Sequence, residues 1–545
     1  MSGTYDVIVL GTGAAGLSAA LTAGAAGASV GLFDRAHTVG GTTAVSGGVS
    51  WIPAHQRPDV PDPPTVQSAI THLRALSNGT MNDELVEVYV RSGAETLEFI
   101  EQHSPVRFSV AAGFPDYRPE LPGGRPHGGR SFNPDPFDYA QLEEWAQRIT
   151  AFPLDWSNVG FDAETRARMW AGREGELDVG EDADADIRVC GAALVGGLLR
   201  GLLDIGVEPQ TDHRAVSLIR DGDAVRGVVL DTGQGVVQAR ARCGVILATG
   251  GFEWDPELVR AFLRGPMNGA ISPPFNTGDG LRMAMSAGAA LGNMTQAWWT
   301  QIVKLPGDTF AGLPRSRSVR LERSRPGSII VNRYGRRFAN EATDYNSLAG
   351  PFHHFDAARF EYPNLPAWMV FDQAHFDAYG FLGVERGERV PEWFHRSDDL
   401  VELAGRVGID PQGLSATVEH FNQAAADGHD PEFGRGQSAY DGWWGDQSKS
   451  TLAAQTLGPL ATAPYYAVAC DLGCTGTKGG PVTDHNGQVL DIGHRLIPGL
   501  YAAGNAMAAP TGMGYGGAGG TIGPALVWGR RAAAHAVSTL VGAAR

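Results

Sequence analysis

The 545-residue chain is 43% hydrophobic and carries a formal net charge of −17 at pH 7. That length exceeds one simple core and suits two domains, one inserted in the other. The acidic balance excludes a polyanion such as nucleic acid as partner, and no window of about 20 apolar residues reads as a membrane span.

The first elements come at once. Val7 to Leu10 reads as a buried strand, which passes through Gly11, Gly13 and Gly16 into an Ala-rich helix beginning near Ala14 and Ala15. In that context GxGxxG marks dinucleotide binding. Gly11 allows the turn, Gly13 lets a pyrophosphate approach the backbone, and Gly16 lets the helix pack on the strand. The helix N-terminus then offers N–H groups to phosphate. A second apolar run over 28–33 ends in Asp34 and Arg35, where the carboxylate can bond a ribose hydroxyl. The small and hydroxyl residues that follow, Gly40, Gly41, Thr42, Thr43, Ser46, Gly47 and Gly48, suit a large cofactor lying along the backbone. No basic segment precedes the first strand, so no signal peptide is expected and the location is expected to be cytoplasmic.

A Pro-rich loop over 57–64 leads to an amphipathic helix predicted over 82–103. Turn formers crowd 114–124, which puts Tyr117 on a loop. Residues 151–186 are acidic and read as a solvated face, since they lack the glycine and spacing of a calcium loop. A helix over 191–206 and strands near 214–218 and 225–230 follow. A second strand-to-glycine turn holds Ala248, Thr249 and Gly250, and a turn at Asp279 opens a helix predicted over 281–291. From Trp298 onward aromatic residues accumulate: Trp299, Tyr345, Phe352, Phe355, Trp368, Phe371, Trp393, Phe394, Trp443 and Trp444. They suit a lid over an apolar, ring-shaped substrate, with the core of the second domain claiming a share.

Cofactor-type sequence returns near Thr475. A third turn holds Gly504 and Asn505, and the loop from Gly512 carries Tyr515, Gly519, Gly520, Thr521 and Ile522 into a last helix. Tyr515 is the one large side chain in that glycine loop after Met513. Its hydroxyl and the Gly519 N–H are placed to donate to one oxygen, a small oxyanion hole. The expected fold is α/β: a Rossmann-like FAD-binding domain (1–300 and 470–545) with an inserted α+β substrate, or lid, domain (301–469). Cys190, Cys243, Cys470 and Cys474 form no paired CxxC set. They read as buried reduced thiols, and no metal site is expected.

The turns at residues 39–48, 245–252 and 499–506 together resemble the FAD-binding pattern of the fumarate reductase/succinate dehydrogenase flavoprotein superfamily, over most of the chain. Tyr515, Gly517 and Gly519, the stretch from Phe338 to Tyr345 with its Asn340-Glu341 pair, and the Phe-Pro-Asp-Tyr loop ending in Tyr117 narrow the resemblance to the 3-ketosteroid Δ1-dehydrogenases. The resemblance implies that Tyr515 and the Gly519 amide polarise the 3-keto oxygen of a steroid. It implies that Tyr345, aided by Tyr117, removes the neighbouring proton, and that FAD takes the hydride. No histidine stands beside Gly41 and Thr42, so FAD is expected to be non-covalent. An external electron acceptor, a quinone among the options, is implied, and peripheral membrane contact is left open.

Two features depart from the family: the acidic segment 151–186 has no functional counterpart in it, and the tyrosine loop differs. Gly516 follows the tyrosine where proline is common, which suggests a looser loop or a differently shaped pocket. Lys478 stands where fumarate reductases place a histidine ahead of Gly-Gly. A fumarate-reductase-like enzyme, action on the 4,5-bond of the steroid, and a non-redox flavoprotein are the alternatives.

Overall fold

The computed structural model describes residues 3–58, 60–152 and 186–543. Residues 153–185, nearly all of the acidic stretch, lie outside it, as does any test of its expected surface role. The architecture is built on two sheets.

The first sheet carries five parallel strands in the order Leu496–Ala502, Val236–Leu247, Gly3–Leu10, Val30–Phe33 and Pro209–Gln210. Val7, Ile8 and Val9 are fully buried at its centre, as a near-continuous apolar run in a parallel sheet requires. Gln488–Leu490 adds an antiparallel edge. The predicted pair of strands forms a hairpin, Arg214–Asp221 and Ala224–Asp231, joined antiparallel to the start of Val236–Leu247. Helix Ala14–Ala25 packs on the sheet beside the C-terminal helix Ile522–Ala543. Small residues permit the approach: a Cβ on Gly529 would overlap the Ala15 carbonyl, and the Ser18 hydroxyl donates to the Leu526 carbonyl across the contact.

Four parallel strands end at one edge, at Leu10, Phe33, Leu247 and Ala502. Ligands of open α/β sheets bind outside such carboxyl ends. The glycine turns are therefore gathered there by topology.

The second sheet is antiparallel and six-stranded. Its path is Arg317–Ser318, Ala297–Val303, Tyr465–Thr477, Ala367–Asp372 and Ser328–Val331, with His395–Ser397 also on Tyr465–Thr477. Trp299, Phe352, Phe371 and Phe394 fill its core, while Phe355 is largely exposed. The helix predicted over 82–103 spans Asp83–His103, capped by the Asn82 side chain accepting from the Leu85 N–H. The helix predicted over 281–291 is shorter, Asp279–Ser286, because Gly288 takes φ +86° and turns the chain into the strand Leu291–Gly292. No helix among the described residues is long and apolar enough to cross a membrane.

Candidate active site

One cavity runs along the carboxyl edge of the first sheet and on to the second sheet, at Thr475. Its first half is bare backbone. Gly11, at φ +108°, turns where a Cβ would overlap the Ala248 carbonyl. A Cβ on Gly13 would meet nothing nearer than 3.5 Å, and one on Gly41 nothing within 4 Å. Both backbones stand open to an incoming group. Gly13, Ala14, Ala15, Asp34, Arg35, Gly41, Thr42, Thr43, Ser46, Gly47, Gly48, Ala248, Thr249, Gly250, Asp279, Gly504, Asn505, Thr521 and Ile522 all line this cavity with Gly11.

Three expected contacts do not reach the wall. Gly16 is a packing spacer, since a Cβ there would overlap the Gly11 carbonyl. Gly40 turns at φ +102° against Val195, and Gly520 lies under the Tyr515 ring.

Asp34 is bound from two sides: one oxygen accepts from the Thr12 N–H and hydroxyl at 2.8 and 2.6 Å, the other from the Ala36 N–H at 2.9 Å. Burial raises its pKa against these bonds. A carboxylate has about four acceptor sites, so room remains for a ribose hydroxyl. Arg35 is turned aside to Asp279, 3.1 Å away, which Arg214 also clamps at 2.8 Å. Thr12, the variable position of the glycine motif, and Asn276, which joins buried Glu253 to Thr42 at 2.6 and 3.0 Å, went unpredicted.

The second half of the cavity brings three distant tyrosines together. The Tyr345 hydroxyl lies 2.9 Å from that of Tyr117 and 3.1 Å from that of Tyr515, which in turn is 3.1 Å from the Thr521 hydroxyl. All three phenols are buried. Burial pushes the pKa of Tyr117 and Tyr515 well up. It raises that of Tyr345 too, opposed by the Arg320 guanidinium, 4.7 Å above the Tyr345 ring.

Each tyrosine is held by its own motif. The Asn340-Glu341 pair matters through Glu341, whose buried carboxylate bonds Arg337 at 2.7 Å and Arg435 at 3.2 Å. The Tyr345 carbonyl accepts from Gln301 at 3.0 Å. Before Tyr117, Asp116 takes the Trp51 indole N–H at 2.9 Å and buried Arg130 at 2.5 Å, and the Tyr117 N–H donates to the Gly516 carbonyl at 3.0 Å.

The Tyr515 loop lies on Trp51. A Cβ on Gly516 would overlap the six-membered ring of the indole, and one on Gly517 would stand 2.5 Å from its nitrogen. The loop with glycine in place of proline is thus close-packed, not loose. Gly519, at φ +94°, lines the cavity, and its N–H meets no acceptor among the described residues.

Lys478 points away from the cavity. Its ammonium donates to the carbonyls of Gly512, Met513 and Gly514 at 3.3, 3.0 and 2.9 Å, and sits 4.1 Å from the Trp298 ring. It braces the loop ahead of Tyr515. Phe114 and Trp444 complete the apolar wall. All four cysteines are buried and free, and no cluster of metal-ligating residues occurs among the described residues.

A third unpredicted resident of the cavity is Arg320. Its only sequence signal is a run of five arginines between 315 and 325 in an acidic protein.

Known proteins are similar to this chain over nearly its whole length. The FAD binding domain family (FAD_binding_2) matches residues 6–522. The 4-oxocyclohexanecarboxylate 2-dehydrogenase of Sinomonas cyclohexanicum is 39% identical over 96% of this chain and 92% of its own length. The 3-oxosteroid 1-dehydrogenase of Mycobacterium tuberculosis is 37% identical over 97% of this chain and 98% of its own. The crystal structure of the 3-ketosteroid Δ1-dehydrogenase from Sterolibacterium denitrificans, in complex with 1,4-androstadiene-3,17-dione, superposes with a TM-score of 0.90 at 32% identity, covering 99% of this chain and 100% of that one. With its glycine cradle and tyrosine cluster on one cavity, the chain belongs to the FAD binding domain family and, within it, to the flavin-dependent oxidoreductases grouped with the 3-oxosteroid 1-dehydrogenases.

Proposed function

We propose that the protein catalyses the FAD-dependent 1,2-dehydrogenation of 3-ketosteroids. The observation that carries this reading is the hydrogen-bonded row Tyr117, Tyr345, Tyr515 and Thr521 on the same cavity as the dinucleotide cradle. FAD, held without a covalent bond along Gly11 to Ala15, Asp34 and Thr42 to Gly48, supplies the hydride acceptor.

The protein's own groups handle the carbonyl and the proton. Tyr515, itself backed by the Thr521 hydroxyl, donates to the ketone oxygen together with the Gly519 N–H. That donation stabilises the charge which develops on the oxygen as the neighbouring C–H is lost. Tyr345 takes that proton. Its phenolate is disfavoured by burial, and a hydrogen bond from Tyr117 together with the positive charge of Arg320 offsets the penalty. Phe114, Trp444 and the ring of Tyr345 exclude water from the reacting carbons.

Residues 301–469 act as an inserted lid domain, delivering Tyr345 and Arg320 to the cofactor domain. The reduced enzyme passes electrons to an external acceptor such as a quinone, and the free thiols suit the cytoplasm.

The test is product analysis after incubation with 4-androstene-3,17-dione and an artificial acceptor. The 1,4-diene is expected. No steroid product, with flavin still oxidised under anaerobic conditions, would refute the reading. A smaller ring ketone, such as the substrate in the name of the 39% identical relative, is the second reading, and Arg320 favours it.

A further inference from the structure

The arginines of the 315–325 run have distinct fates. Arg315 and Arg317 pair with Asp308 at 3.5 and 2.7 Å, Arg323 donates to the Glu341 and Thr343 carbonyls, and Arg325 lies over the Tyr379 ring. Arg320 instead lines the cavity. Its Nε is buried without an acceptor, and no carboxylate pairs with it among the described residues. The groups facing it are the phenols of Tyr345, Tyr117, Tyr440 and Tyr515. Buried Arg130, Arg337 and Arg435 each meet a carboxylate.

A guanidinium in an apolar wall is costly to desolvate without an anion. A neutral ketone filling the cavity would shut Arg320 from water and offer it nothing. A ligand carboxylate matches its planar fork and supplies the missing charge. The spacing is also informative. The Tyr345 hydroxyl is 3.1 Å from Tyr515, while the Tyr345 ring is 4.7 Å from the guanidinium. The Tyr345 phenol thus touches both the ketone grip and the cation, which line the same cavity. The backbone of Arg320 is fixed as well, because Ser318 pairs with Ile302 and the Val319 N–H donates to the Gln301 carbonyl at 3.3 Å.

We infer that Arg320 is a carboxylate-recognition residue, and that it gives this cavity a second substrate class: compact ring ketones bearing a carboxylate across the ring from the carbonyl. The inference rests on the ketone grip proposed for Tyr515 and Gly519. The chemistry is the same dehydrogenation. One ring hydrogen leaves as a proton to Tyr345, its neighbour leaves with the bonding pair to FAD, and a ring C=C forms.

The test uses the FAD-loaded enzyme with 4-oxocyclohexanecarboxylate, its methyl ester and 4-androstene-3,17-dione, following anaerobic flavin bleaching. Wild type should prefer the acid to the ester about 100-fold in kcat/KM, the scale of a hydrogen-bonded charge pair. Arg320→Leu should erase that preference, mainly through KM, and Arg320→Lys should keep part of it. Equal use of acid and ester by wild type overturns the inference, whether or not the variants fold. So does an Arg320→Leu defect equal for all three ketones, which would mean that the arginine serves Tyr345 alone. Bleaching by the steroid only would refute this inference and leave the 3-ketosteroid reading standing. Bleaching by none would refute both.

Discussion

Replacing Tyr345 by phenylalanine removes one oxygen from the centre of the tyrosine row. The ring remains, and with it the contact to Arg320 at 4.7 Å and the edge packing on Tyr117 and Tyr515, with centroids at 5.4 and 5.6 Å. Two hydrogen bonds go, at 2.9 and 3.1 Å. Each is worth about 1 kcal/mol net, and Tyr515 keeps Thr521 as a partner. The stability cost should therefore be no more than about 2–3 kcal/mol, and FAD should stay bound. The kinetic cost should be much larger. A positioned general base contributes roughly 10²- to 10⁴-fold, or about 3–5 kcal/mol of barrier. Stopped-flow bleaching of the flavin by a ring ketone measures it, and exchange of the ketone's α-hydrogen with deuterated solvent isolates the proton step. Because burial raises the Tyr345 pKa, only a small phenolate fraction exists near neutrality. Wild-type reduction should rise toward alkaline pH, about tenfold per unit in the limit, and the variant should lose that slope. Near-normal reduction by Tyr345→Phe, or an unchanged pH profile, would show that another group takes the proton.

Gly516→Ala would push a methyl group into the six-membered ring of the Trp51 indole. It should cost about 1–3 kcal/mol by overpacking, read as a lowered Tm and weaker flavin reduction. An unchanged Tm would mean that the loop is not pinned as described. His375 is buried, bonded through Nδ1 to the Pro326 carbonyl at 2.7 Å, and held neutral with its pKa down at about 4 by burial. The unfolded chain binds this proton from about pH 6.5 downward and the native state does not. The stability therefore falls by roughly 3 kcal/mol between pH 6.5 and 4, and is not regained below. His375→Asn should flatten that part of the Tm–pH curve relative to wild type, and parallel curves would contradict the assignment.

The cofactor edge was legible because its signals are steric. Gly11 and Gly16 stand where no Cβ fits, Gly13 and Gly41 stand where one would fill the cavity, and the alternation of strand and turn brings them to one edge. The tyrosines were legible only through resemblance, since nothing in local periodicity tells that Tyr117, Tyr345 and Tyr515 converge across 228 and 170 residues of chain. Thr12 and Asn276 were missed because hydroxyl and amide groups in turns have many local uses. Arg320 was missed because its significance is the lack of a partner, a property of three-dimensional packing. The helix predicted over 281–291 overran because an alanine-rich pattern continued past Gly288, where the backbone had already turned.

The central claim is that the hydroxyl of Tyr515 grips a ketone oxygen as it gains charge, and Tyr515→Phe tests it most directly. The variant loses one donor and keeps its ring against Trp298, 4.7 Å away between centroids. Such a contact acts more on the transition state than on the bound ketone, and losing a donor of this kind costs about 10²- to 10³-fold in rate. The measurement is flavin reduction by a 3-keto steroid under single-turnover conditions, with steroid affinity taken from the binding spectrum of the same samples. A rate lowered at least about a hundredfold with affinity changed less than about tenfold is the predicted result. Turnover close to wild type, or a loss confined to affinity, would contradict it.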